Sequence, residues 1–118
     1  MTQEQQNTNA GGSTTTSSVK KIDAAQAKKM MGESTVTIVD VRRADEYAAG
    51  HIKDAINVAN ESIGTAPIAA LPDKNATLLI YCRTGIRSAD ASSKLEALGY
   101  QNIYDMGGIV DWPYGTVK

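Results

Sequence analysis

The residues Leu78-Leu79-Ile80-Tyr81-Cys82-Arg83-Thr84-Gly85-Ile86-Arg87-Ser88 run from an apolar segment into a cation-bearing turn and then into helical spacing. Residues 76–81 are a short, nearly unbroken apolar run rich in β-formers, which suits a buried strand of a parallel sheet. From Ser88 on, Ala91, Leu95 and Leu98 fall at i, i+4 and i+7, and Gly99 stands where a helix would stop. The one cysteine, Cys82, is therefore expected at the carboxyl end of a strand, just before a helix N-terminus. In open α/β sheets ligands bind at that edge. Free amides and the helix dipole favour an anion there. Arg83 and Arg87 add two charges, and Gly85 allows a tight backbone turn. Together these terms favour a thiolate, so Cys82 reads as a nucleophile held by backbone amides.

Composition narrows the rest. The 118 residues suffice for one domain with one core. With Lys+Arg 12 against Asp+Glu 13, no nucleic acid or anionic membrane is expected as a partner. No apolar run approaches the length of a membrane span, so no membrane insertion is expected of the given chain. A lone cysteine forms no internal disulfide and has no cysteine neighbours for a zinc site, so no metal is expected. Phe is absent, so the core must rest on aliphatic residues with five Tyr and one Trp.

Residues 1–18 are polar and of low complexity, and are expected to be a disordered tail or linker ahead of a folded domain at 19–118. The tail has no basic start and no apolar centre, so it is not a signal peptide. It fits either a native tail on a cytoplasmic protein or a linker left after removal of an export signal or lipid anchor. A short strand is expected at 19–22. Asp23 and Gln26 then form a capping box for a helix ending at Gly32. A strand at 36–41 leads to a short helix at 45–49, and Arg42 and Glu46 stand at i, i+4, the spacing of an interacting pair. A third strand is expected at 55–58, partial helix over 62–71 and a last strand at 102–106. A final short helix opens at Gly107-Gly108 and is stopped by Pro113. Strands alternating with helices predict an α/β fold, a mainly parallel sheet with helices on both faces.

Several blocks together resemble a single rhodanese (sulfurtransferase) domain. They are Val39-Asp40-Val41-Arg42, Glu46-Tyr47, Gly50-His51-Ile52, Ala55-Ile56-Asn57, the loop from Cys82 through Ser88, and Gly107-Gly108 with Trp112. Asp54 and Ala59 depart from the common pattern, where Gly and Pro are usual. The resemblance implies an open five-stranded sheet and transfer of sulfane sulfur through a Cys82 persulfide. The donor would be thiosulfate or a similar small molecule. The thiophilic acceptor would be cyanide in vitro, and a thiol or an acceptor protein in the cell. It implies no metal or organic cofactor. Backbone amides of residues 83–87 would hold the terminal sulfur, Arg87 would brace the loop and add charge, and Arg83 would meet the anionic donor. The candidate site is thus Cys82 and Arg87 as catalytic residues, with Arg83, Thr84, Gly85, Ile86 and Ser88 around the substrate.

Plainer roles compete for some of these residues. Cys82 is weighed against an inert core thiol, Arg87 against a structural ion pair and Arg83 against a solvated surface charge. Asp40 suits pairing with an arginine, His51 a hydrogen-bonded turn, and Trp112 core or a pocket wall. Among functions, a phosphatase or arsenate reductase is disfavoured, because its loop reads Cys-x5-Arg and this one reads Cys-x4-Arg. A sulfur carrier or regulatory binding module acting with a protein partner remains the alternative. A monomer is the expectation.

Overall fold

The computed structural model describes residues 18–118. The expected tail at 1–17 lies outside them. Ser18, its last residue, bonds through its hydroxyl to Glu96 (3.0 Å). Among the described residues, five strands, β1 (Val19–Lys21), β2 (Thr37–Asp40), β3 (Ile56–Asn57), β4 (Thr77–Cys82) and β5 (Asn102–Gly108), alternate with three helices. The helices are α1 (Ala24–Glu33), α2 (Ala44–Ala49) and α3 (Ile86–Ala97). The sheet order is β1-β5-β4-β2-β3, and every pairing is parallel.

Strand β4 lies at the centre, and its side chains alternate between two cores, as the pleat requires. Leu78, Ile80 and Cys82 pack on one face with Ala91 and Leu95 of α3. Leu79 and Tyr81 pack on the other with Ala27 of α1, joined by Met30, Met31 and Tyr47. Helices therefore cover both faces. This period of two aims the Cys82 side chain at the α3 face, where α3 itself begins four residues later.

Local signals behave as the residues dictate. Asp23 Oδ1 accepts from the Gln26 amide (2.8 Å) and Gln26 Oε1 from the Asp23 amide (3.0 Å), the reciprocal capping box. Helix α1 runs past Gly32 and ends at a Ser34 cap. Asp54 is the one non-glycine at positive φ among the described residues, at 70°. That explains a preference for Gly at this turn, and Asp is among the few side chains that tolerate the conformation.

Three expectations need correction. The segment 62–71 is not helical: a single 3-10 turn at Asn60–Ser62 precedes an irregular loop, where Gly64 and Pro67 disfavour a helix. Gly107 and Gly108 do not open a helix. They continue β5, and one 3-10 turn follows at Ile109–Asp111. Arg42 does not pair with Glu46; its guanidinium forks onto Asp40 at 2.7 and 3.0 Å.

One irregularity shapes the site. Ile80 pairs with Asp105 and Tyr81 with Gly107, so Met106 is an extra residue on β5. This bulge re-aims the end of β5 beneath the turn that follows Cys82.

Candidate active site

Cys82 ends β4 and is fully buried. The chain then turns through Arg83 and Thr84 to Gly85, which starts α3 with φ 109° and ψ −12°. An L side chain would be strained there, and glycine is not. In that conformation the Gly85 amide donates to Cys82 Sγ at 3.0 Å. Gly85 has no side chain to cap the helix, so the first-turn amides meet no intrahelical acceptor. The sulfur thus faces a donated amide and the positive end of a twelve-residue helix. Both favour negative charge on sulfur.

The turn rests on the end of β5. A β-carbon on Gly108 would lie 2.7 Å from Thr84 Cα, and closer still to the Arg83 carbonyl oxygen. Only glycine permits this approach. The same carbonyl accepts from the Val110 amide (3.2 Å), so the turn is also tied to the segment after β5.

Arg87, in the first turn of α3, reaches across to α2. Its Nη1 and Nη2 donate to the two carboxylate oxygens of Glu46 at 2.6 and 3.0 Å. Glu46 Oε1 also accepts from the Arg43 amide at the start of α2 (3.2 Å). Arg87, foremost, pulls the Glu46 carboxyl down to about 2, against the opposing effect of burial. Glu46 in turn raises Arg87, and the nearby Cys82 sulfur adds to that. Arg83, Thr84 and Ile86 are exposed, and Ile86 most of all at 80%. These side chains form the rim of the site, with Arg83 as its outward cation.

Ser88 points inward. Its hydroxyl donates to Asp105 Oδ1 (2.8 Å) and lies 3.0 Å from the Gly85 carbonyl. Asp105 Oδ1 also accepts from the Gly107 amide (3.0 Å), and Lys21 Nζ stands 3.6 Å from Oδ2. The Asp40–Arg42 pair sits at the neighbouring strand end. Arg42 Nη2 donates to the Gly50 carbonyl (2.6 Å), and Asn57 Nδ2 donates to the Asp40 and Arg42 carbonyls (3.0 and 2.9 Å). This pair fastens the end of α2 to the sheet. His51 belongs to the same turn. Its Nδ1–H donates to the Tyr47 carbonyl (2.9 Å), its ring stacks on Tyr47 at 3.9 Å, and its backbone pairs with Val117. Trp112 packs against the core on the α1 face and donates from Nε1 to the Gly115 carbonyl (3.0 Å).

The rhodanese-like domain family matches residues 23–113. The chain belongs to that family. This rhodanese-like domain is 34% identical over 80 residues to the thiosulfate sulfurtransferase PspE of Escherichia coli strain K12, covering 68% of this chain and 77% of PspE. It is 32% identical over 96 residues to the tRNA uridine(34) hydroxylase of Hamiltonella defensa, covering 77% of this chain but 27% of that protein. It therefore spans about a quarter of the hydroxylase. A crystal structure of a rhodanese-like domain protein from Staphylococcus aureus superposes with TM-score 0.71 at 33% identity, covering 83% of this chain and 96% of that one.

Three residues of the candidate site carry no site assignment in the sequence reading. Glu46 was expected to serve Arg42, although its place three residues after Arg43 is a capping-box spacing. Gly108, beside Gly107, looks like a helix opener in sequence and lies instead at the end of β5. Asp105, between Tyr104 and Met106, carried no signal beyond a charge inside a strand pattern.

Proposed function

We propose that this domain is a sulfurtransferase that carries sulfane sulfur on Cys82. The observation behind the reading is the Gly85 amide on Cys82 Sγ at 3.0 Å, at the N-terminus of α3. In the first step the Cys82 thiolate attacks the outer sulfur of thiosulfate. The new S–S bond forms as the old one breaks, and sulfite leaves with the electron pair. The product is a Cys82 persulfide whose terminal sulfur is negative. The Gly85 amide and the first-turn amides stabilise that charge. In the second step an acceptor such as cyanide attacks the terminal sulfur, thiocyanate leaves and the thiolate returns. Arg83, exposed at the rim, draws the dianionic donor. Arg87, held by Glu46, braces the loop and supplies positive charge from the side.

The test is intact-protein mass spectrometry after incubation with thiosulfate, for the native chain and Cys82→Ser, followed by cyanide. The expected result is a gain of one sulfur on the native chain alone, lost with release of thiocyanate. No gain would remove thiosulfate as donor and leave Cys82 without support as a small-molecule sulfur site. Phosphoester turnover is expected to be nil for both proteins. Turnover that disappears in Cys82→Ser would favour the phosphatase reading.

A protein acceptor is the second reading. Its support is the rim itself: Ile86 is 80% exposed and Val110, bonded to the turn, is 61% exposed. A small anion has no use for apolar side chains there, whereas a docking chain does. Persulfide formation with slow cyanide turnover would favour it.

A further inference from the structure

The buried carboxylate of Asp105 has no role in the chemistry described above. It is 2% exposed and sits on the same sheet face as Cys82, beside a site argued to hold a negative sulfur. A carboxylate in that place is costly unless it is well bonded, and more costly still beside a second anion. Its bonds explain why it is kept. One oxygen, Oδ1, accepts from both the Ser88 hydroxyl and the Gly107 amide. Ser88 belongs to the first turn of α3, and its hydroxyl, 2.8 Å from Oδ1, shares its one proton between that oxygen and the carbonyl, 3.0 Å away, of Gly85, the residue whose amide meets the sulfur. Gly107 belongs to the bulge, and its Cα would lie 3.7 Å from a β-carbon on Gly85. A single oxygen therefore joins the two walls between which the Cys82 turn is set. The bulge also leaves a Gly107 amide that Asp105 satisfies.

We propose that Asp105 is a positioning residue of this site: acting through Ser88 and Gly107, it sets the Gly85 amide against the Cys82 sulfur. The proposal rests on Cys82 being the reactive thiol. Ser88 then serves as the linking member of this clamp, and its side chain faces Asp105 rather than a donor.

The experiment measures the rate of Cys82 alkylation by iodoacetamide across pH, the thermal midpoint, and sulfur uptake from thiosulfate. The variants are Asp105→Ala, Asp105→Asn, Ser88→Ala and Lys21→Ala. Asp105→Ala should slow alkylation at neutral pH by about ten-fold, because the sulfur loses its fixed amide donor and this outweighs the removal of a neighbouring anion. Ser88→Ala should slow it about three-fold. Asp105→Asn keeps an oxygen acceptor and removes the anion beside the sulfur, so it should alkylate at least as fast as the native chain at neutral pH, and slowing equal to that of Asp105→Ala would overturn the proposal. Lys21→Ala removes only the ion pair on Oδ2 and should alkylate like the native chain. Arg83, Arg87 and Glu46, the other charges around the thiol, are unchanged in all four. A lowered thermal midpoint with a native alkylation profile in Asp105→Ala would reduce Asp105 to a fold residue and overturn the proposal. Slowing in Lys21→Ala equal to that in Asp105→Ala would also overturn it. If Asp105→Ala does not fold, native alkylation by Ser88→Ala overturns it, and the three-fold loss supports it. Alkylation does not depend on sulfur transfer. Slowed alkylation of Asp105→Ala without sulfur uptake by the native chain would thus uphold the clamp while removing the thiosulfate reading.

Discussion

The Glu46 carboxylate grips the Arg87 guanidinium through both oxygens, at 2.6 and 3.0 Å, so the helix that follows the Cys82 turn is fastened to α2. The geometry is a planar fork on a planar acceptor. A lysine in place of Arg87 offers one point charge and cannot reproduce it.

Glu46→Gln should therefore lower stability at neutral pH by about 1.5–3 kcal/mol, the scale of a charge-assisted bond. The pH dependence has a definite sign. The folded Glu46 carboxyl lies at about 2, below its ordinary 4.5, so its contribution is present above 4.5 and fades as pH falls towards 2. The difference between the native chain and Glu46→Gln should shrink across that window. Urea titrations at neutral pH and at points below 4.5 check this. A gap that stays constant to the lowest pH would show that the ion pair is not its source.

Gly108→Ala should cripple the site. The added carbon meets backbone atoms of Arg83 and Thr84, which cannot rotate away as a side chain could. Overpacking of this kind costs about 1–3 kcal/mol. The strain falls on the turn that holds Cys82, so alkylation and sulfur uptake should both fall by more than ten-fold, alongside a lower thermal midpoint.

Gly32→Ala should do the opposite. Gly32 lies within α1, and no atom stands within 4 Å of its missing β-carbon. Alanine removes the backbone freedom that glycine retains when unfolded and should add about 0.5–1 kcal/mol. Sulfur uptake should be unchanged. Denaturant midpoints of the two glycine variants should move in opposite directions.

Ala59→Pro should also stabilise. Ala59 has φ −59° and ψ 136°, close to what a proline ring imposes. A gain of about 0.4–1 kcal/mol is expected, from restriction of the unfolded chain. A lowered urea midpoint would mean that the ring clashes with the preceding residue.

Signals carried by neighbouring residues were readable in the sequence. The capping box of α1, the strand-turn-helix around Cys82 and the break at Gly50 all depend on contacts within a few positions. Partner choice over long separations was not. Glu46 and Arg87 stand 41 positions apart, and only the order of the strands in the sheet brings α2 to the start of α3. Arg42 had an acidic residue on either side in sequence, and Asp40 won because both lie at the same strand end. Gly107 and Gly108 look like a helix start because a bulge has no composition of its own. Asp105 was hidden for a related reason. A carboxylate in a strand reads as solvent-facing until the bulge and Ser88 close over it.

The sheet also has consequences at its margins. The two outermost strands are β1, of three residues, and β3, of two. Two of the three β1 residues are exposed lysines. An intruding chain would find only a few open backbone groups on either side, and charge on one of them. Edges this short and this charged are poor templates for strand addition, so fibril growth from the native state has little to build on.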